Sequence, residues 1–82
     1  MFYRVTNVQP LENYILIVDF ENGVKKQYDI KPLFEKWHIF NQLKQDNLYK
    51  YVKVDAGGYG ISWNEEIDLS ANELWENGSP IN

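Results

Sequence analysis

The sequence contains no cysteine, which removes disulfide staples, thiolate metal ligands and a cysteine nucleophile together. It also lacks any apolar run near the roughly 18 residues that a membrane-spanning helix needs. The first residues, Met1-Phe2-Tyr3-Arg4-Val5, have neither the basic segment nor the apolar stretch of a secretory signal. A cytoplasmic protein without membrane association is expected. An excess of positive charge is missing as well. Eight basic residues against twelve acidic ones give a formal charge of −4, which repels a phosphate backbone unless the lysines gather on one face. Direct binding of nucleic acid is therefore not expected. Repeats, low-complexity tracts and linkers are absent, and no motif points to a cofactor or a metal.

What remains is a chain of 82 residues, enough for a single domain over residues 1–82 and one modest core. Three Trp, six Tyr and four Phe supply the bulk that so short a chain needs, since each aromatic side chain buries roughly 150–250 Å².

The run Tyr14-Ile15-Leu16-Ile17-Val18-Asp19-Phe20 is β-branched and aromatic, with apolar residues on both alternating faces. That is the pattern of a central strand covered on both sides. Glu21-Asn22-Gly23 follows, and Asn-Gly accepts the positive φ angles of a tight hairpin. A two-residue turn sets Ile17 opposite Tyr28, whereas a three-residue turn with Gly23 left-handed sets Phe20 opposite Val24 and Leu16 opposite Tyr28. The second register is preferred, because it gathers Tyr14, Leu16, Val18, Phe20, Val24, Tyr28 and Ile30 on one face with Lys26 as the only misfit, and pairs Asp19 with Lys25 on the other. Residues 3–9 make a first strand, with Pro10-Leu11-Glu12-Asn13 as the turn that follows it.

Downstream, Asp29 can cap a short helix with Pro32 in its first turn and Leu33, Phe34 and Trp37 along it. Residues 39–43 and 46–51 give two further single turns, too short to stand without packing. Val52-Lys53-Val54-Asp55 and Gly60-Ile61-Ser62-Trp63 flank Ala56-Gly57-Gly58-Tyr59 as a second hairpin extending the same sheet. Ser70-Ala71-Asn72-Glu73 is a capping box for a last helix that stops at Asn77-Gly78. The expected fold is α+β: a mainly antiparallel sheet of about five strands, in the order β-β-β, short helices, β-β, α, with the helices packed on one face.

Val5, Val8-Gln9-Pro10-Leu11, Tyr14, Leu16, Phe20-Glu21-Asn22-Gly23, Tyr28-Asp29-Ile30-Lys31-Pro32-Leu33, Phe40, Leu43, Val54, Ile61-Ser62-Trp63 and Asp68-Leu69 together resemble domain-of-unknown-function family 2442. The resemblance implies a small, mostly bacterial domain without an established activity. In some members it precedes a helix-turn-helix DNA-binding domain, a segment not present in this chain. It further implies a protein partner, because some members are encoded beside another small protein in an arrangement like a toxin–antitoxin pair.

Candidate chemistry is sparse. His38, the sole histidine, sits between Trp37 and Ile39 with no evident nucleophile or orienting carboxylate. Gly57-Gly58-Tyr59-Gly60 leads into a strand, whereas phosphate-cradling loops lead into a helix, so it reads as a flexible hairpin tip. Glu65, Glu66 and Asp68 with Asp55 match no EF-hand spacing and read as turn carboxylates, Asp68 with a capping or turn-closing role. Ser62 lacks the Gly-x-Ser-x-Gly setting of a nucleophile elbow and reads as a strand residue. No catalytic residue is assigned.

Two surfaces are candidates for binding. Trp37, Tyr49, Tyr51, Tyr59 and Trp75 are more large aromatics than their short elements need, and two or three of them exposed together would form an interface hot spot. Lys25, Lys26, Lys31 and Lys36, with Lys44, Lys50 and Lys53 beyond, would form a basic face if they pointed one way. The favoured reading is a non-enzymatic module that binds a protein partner or a second copy of itself, as the antitoxin-like or regulatory member of a two-gene pair. The alternatives are nucleic-acid-linked regulation through the lysine-rich residues 25–53, and a small-ligand or enzymatic pocket near His38 and Asp68.

Overall fold

The computed structural model describes residues 3–81. Met1 and Phe2, part of the segment read above for a signal, and Asn82 lie outside the described residues.

Strands β2 (Ile15–Phe20) and β3 (Lys25–Asp29) form the central hairpin. Its turn is the three-residue form. The Phe20 N–H donates to the Val24 carbonyl at 2.9 Å, the Gly23 N–H donates to the Phe20 carbonyl at 3.0 Å, and Gly23 has φ +89°, a left-handed value that glycine adopts without a Cβ clash. Leu16 consequently faces Tyr28, and Asp19 faces Lys25.

Strand β1 (Val5–Leu11) pairs antiparallel with β2. It runs two residues past the expected end, so Pro10 and Leu11 are strand rather than turn. Pro10 is tolerated because β1 is an outer strand, where a missing N–H breaks no second ladder. A bulge between Val5 and Asn7 explains why Val5 and Val8, three apart, both turn inward: Val5 faces Phe20 and Val8 faces Val18. The link to β2 is a 3-10 turn (Glu12–Tyr14), in which Asn13 and Tyr14 have φ of 63° and 60°. A left-handed tyrosine costs about 1–2 kcal/mol. The Tyr14 ring offsets this by edge contacts to Phe34 and Tyr49, with centroids 5.1 and 4.9 Å away.

Helix α1 (Lys31–Lys36) starts where expected, and Asp29 closes its entry by accepting the Lys31 N–H at 2.9 Å. Two 3-10 turns follow, His38–Lys44 and Leu48–Tyr51. They supply Phe40 and Leu43 to the core, with Ile39, Leu48 and Tyr49 packed around it.

The second hairpin is β4 (Lys53–Val54) and β5 (Gly60–Ser62), joined by β6 (Asp68–Ser70). These strands do not extend the first sheet. They form a separate sheet ordered β4-β5-β6, while the first is β1-β2-β3-β7, with β7 at Ser79–Pro80. The α+β class and the antiparallel pairing stand, but one sheet of about five strands is replaced by two. The reason is visible at Gly58, which is buried with φ +76° and lies so near β1 that a Cβ there would come 2.6 Å from the Val5 carbonyl. The tip of the second hairpin docks on β1 instead of hydrogen-bonding along it, so it is a packed element rather than a flexible one.

Helix α2 (Ala71–Asn77) touches β3, β5 and β6 and so ties the sheets together. Half of its capping box forms: the Ser70 hydroxyl accepts the Glu73 N–H at 3.0 Å. The Glu73 carboxylate turns away, accepting from the Tyr28 hydroxyl at 2.7 Å and from the Asn77 amide at 2.9 Å. Gly78 ends the helix, its N–H donating to the Leu74 carbonyl at 3.0 Å. The chain then returns to β3 as β7, placing Pro80 opposite Lys26 and Ser79 opposite Gln27. Strands β6 and β7 have only three and two residues, too few for alternation to be read.

Candidate interaction surface

Side chains alternate across a strand, so the hairpin register decides both faces of the first sheet. The inner face carries Leu16, Val18, Phe20 and Tyr28, all buried, and helices α1 and α2 both pack their apolar side chains into this core. The outer face is built from three cross-strand rows. One is Asn7–Asp19–Lys25, the next is Gln9–Ile17–Gln27–Ser79, and the third is Leu11–Ile15–Asp29. Ile15 and Ile17 are partly exposed, Leu11 is 37% exposed, and none of the three belongs to the core or packs against it. The expectation that residues 14–20 are covered on both sides is corrected: within the described residues only the inner face is covered.

This leaves an apolar strip of Leu11, Ile15 and Ile17 that runs from one end of the open face to its middle, with amides and charges beside it. Asp19 is held by Lys25 at 3.3 Å and by the Asn7 amide at 3.4 Å, and Asp29 by Lys31 at 3.0 Å. The signal for this surface was present in the sequence as Ile15 and Ile17 on the "wrong" alternation of the strand. Alternation alone reads the same as double cover.

The five candidate aromatics divide. Trp75 is structural: it stacks on Tyr3 at 3.9 Å and meets Phe20 edge-on at 5.0 Å. So is Tyr49, whose hydroxyl lies 2.9 and 2.8 Å from the Leu11 and Ile15 carbonyls, its acceptors. Burial pushes the Tyr49 phenol up to about 12. Trp37, Tyr51 and Tyr59 are exposed, but on separate elements: Trp37 follows α1, Tyr51 ends a 3-10 turn, and Tyr59 lies beside Arg4, whose guanidinium is 5.4 Å from its ring centroid. Tyr49 and Trp75 thus belong to the packing of the domain, and Trp37, Tyr51 and Tyr59 are the three that remain exposed.

The lysines also separate. Lys25 and Lys26 are neighbours on β3 and point to opposite faces. Lys26 is buried, with its ammonium donating to the Trp75 carbonyl and lying 3.9 Å from that residue's ring centroid. Lys31 pairs with Asp29 and donates to the Asn13 carbonyl at 2.6 Å, and Lys36 lies over the Trp37 ring at 4.6 Å. Lys25, Lys26, Lys31 and Lys36 thus form no common basic face.

His38 is exposed on the turn after α1. A shallow concavity of about 420 Å³ lies beside it, lined by Trp37, Phe40, Glu66, Asp68 and Glu73 among others, but His38 is not in its wall. Asp68 is exposed on β6, opposite Ser62. It does not close the preceding turn. Asn64 does, its side-chain oxygen accepting the Glu66 and Ile67 N–H groups, each at 2.9 Å. The Ser62 hydroxyl donates to Asp55 at 2.7 Å across the second hairpin. Among the described residues, no three of the histidine and carboxylate side chains are grouped to hold a metal ion, and no helix is long and apolar enough to cross a membrane.

Comparison with known proteins adds a family: residues 5–80 match the model of a family described as protein of unknown function (DUF2442). No curated protein and no solved structure matches the chain.

Proposed function

For this chain, which belongs to the DUF2442 family, we propose the role of a non-enzymatic protein-interaction module. The observation that carries this reading is the open outer face of the first sheet, where Leu11, Ile15 and Ile17 stand outside the core. Apolar side chains grouped on an exposed, polar-rimmed face are the usual mark of a surface that another protein covers. A binding rather than catalytic role is also supported by the separation of the chemistry-bearing groups. His38 lies on the turn after α1, whereas the Ser62 hydroxyl is taken up by Asp55 across β4 and β5.

The finer part of the proposal, an antitoxin-like or regulatory member of a bacterial two-gene pair acting in the cytoplasm, draws on the family resemblance and not on geometry. It is tested by co-expressing the chain with the product of the adjacent gene and purifying through a tag on either one. Co-purification with the wild type and its loss with Ile17→Glu is the expected result. Co-purification unaffected by Ile17→Glu would remove the sheet face from the proposal, and no co-purification would remove the two-gene pairing.

A further inference from the structure

The outer sheet face has a charge pattern that selects its occupant. At one end stands the row Asn7–Asp19–Lys25, at the other the row Leu11–Ile15–Asp29, with Ile17 midway. Two sheets that pack face to face keep their strands within about 30° of one another, so a two-fold axis has two simple placements. With the axis along the strands, the Asn7–Asp19–Lys25 row meets itself in reverse, and Asp19 stands over Asp19. Like charges placed so are repelled. With the axis across the strands at Ile17, the two end rows exchange. Ile17 then meets Ile17, and Lys25 of each copy meets Asp29 of the other, twice by symmetry. Of the two placements only this one brings opposite charges together: it joins the Asp19–Lys25 and Asp29–Lys31 pairs of the two copies into one network, and it sets Leu11 over Asn7.

Resting on the reading of this face as a protein-binding surface, we infer that its occupant is a second copy of this chain, docked about a two-fold axis across the strands through Ile17, with reciprocal Lys25–Asp29 contacts. The two isoleucines and the flanking Gln9 and Gln27 form the centre, and the charged rows form the rim. The operation also sets Ile15 beside the other copy's Asp19–Lys25 pair, whose aliphatic lysine stem can cover it. A single face of four short strands is smaller than the roughly 20–30 residues a side of standard interfaces, so the dimer is weak and in exchange with the monomer.

Sedimentation velocity on the full chain, from about 10 µM to about 1 mM, spanning affinities expected of an interface this small, reads the equilibrium. The weight-average mass should rise toward the dimer with concentration. Ile17→Glu should hold the chain at monomer mass throughout, with an unchanged near-ultraviolet circular dichroism spectrum as the check on folding. Lys25→Glu and Asp29→Lys should each weaken association about tenfold, and the double variant carrying both should restore it. The double exchange does not depend on Ile17 and reports the orientation directly. A wild type that stays monomeric at every concentration overturns self-docking. Recovery of the adjacent gene's product through the same face would then leave the interaction reading standing, so the two failures are distinguishable. A dimer that survives Ile17→Glu, or a double variant no better than the singles, overturns the proposed face or its orientation.

Discussion

The Lys26 ammonium lies over the Trp75 ring, 3.9 Å from its centroid, and donates to the carbonyl of the same residue. One side chain on β3 is thereby satisfied twice by the last helix. Read along the strand, Lys26 is the misfit on an apolar face. In the folded chain it reaches the final turns of α2, where the unpaired carbonyls favour a cation. Lys26→Met keeps the aliphatic stem and strands the carbonyl, so a loss of about 1–2 kcal/mol is expected. Lys26→Glu sets an anion against both the carbonyl and the negative ring face and should cost more. Urea unfolding of the two variants orders them.

Gly23 and Gly58 are both left-handed, at φ +89° and +76°, yet their surroundings differ. A Cβ at Gly23 would meet open space, and one at Gly58 the Val5 carbonyl at 2.6 Å. Gly23→Ala should cost only the backbone term of about 1–2 kcal/mol. Gly58→Ala should cost at least about 2 kcal/mol more, because overpacking adds to it. Equal midpoints in chemical denaturation would show that the second hairpin does not dock on β1 this way.

Stability should fall steeply in alkali. Burial, joined by the hydrogen bond and charge of Glu73, raises the Tyr28 phenol well above its ordinary value, and burial brings Tyr49 to about 12. Folding therefore favours the neutral phenols. Their contribution is whole below the unfolded value of about 10 and is lost as pH climbs from there through the folded values. Denaturation curves should superimpose from neutral pH to about 9 and then shift downward. Tyr28→Phe should start lower at neutral pH, having lost the Glu73 partner, and decline less between about 10 and 12.

The three tryptophans should report three environments. Trp37 is 44% exposed, whereas Trp63 is 5% exposed and its indole N–H donates to the Tyr49 carbonyl at 3.0 Å. Trp75 stacks on Tyr3 and meets Phe20 edge-on. Trp37→Ala should change stability by under about 0.5 kcal/mol and remove most of the iodide-quenchable fluorescence. Trp63→Ala or Trp75→Ala should cost about 3–5 kcal/mol.

What sequence determined by itself was local. The turn at Asn22-Gly23 and the register that puts Leu16 opposite Tyr28 follow from φ preferences and alternation. The Ser70 cap and the Gly78 stop follow from the orphan backbone groups of a helix end. These are interactions among near neighbours, so residue order contains them. Tertiary structure decided the rest, because it depends on which surfaces meet across the chain. It divided the strands into two sheets by docking Gly58 on Val5, recruited Ser79 and Pro80 to β3, buried Lys26 beneath Trp75 and scattered the candidate aromatics and lysines. Alternation places Ile15 and Ile17 together on one face, but only the fold shows that nothing in the described chain covers that face. Burial is a property of what lies opposite, and among the described residues nothing lies opposite this face.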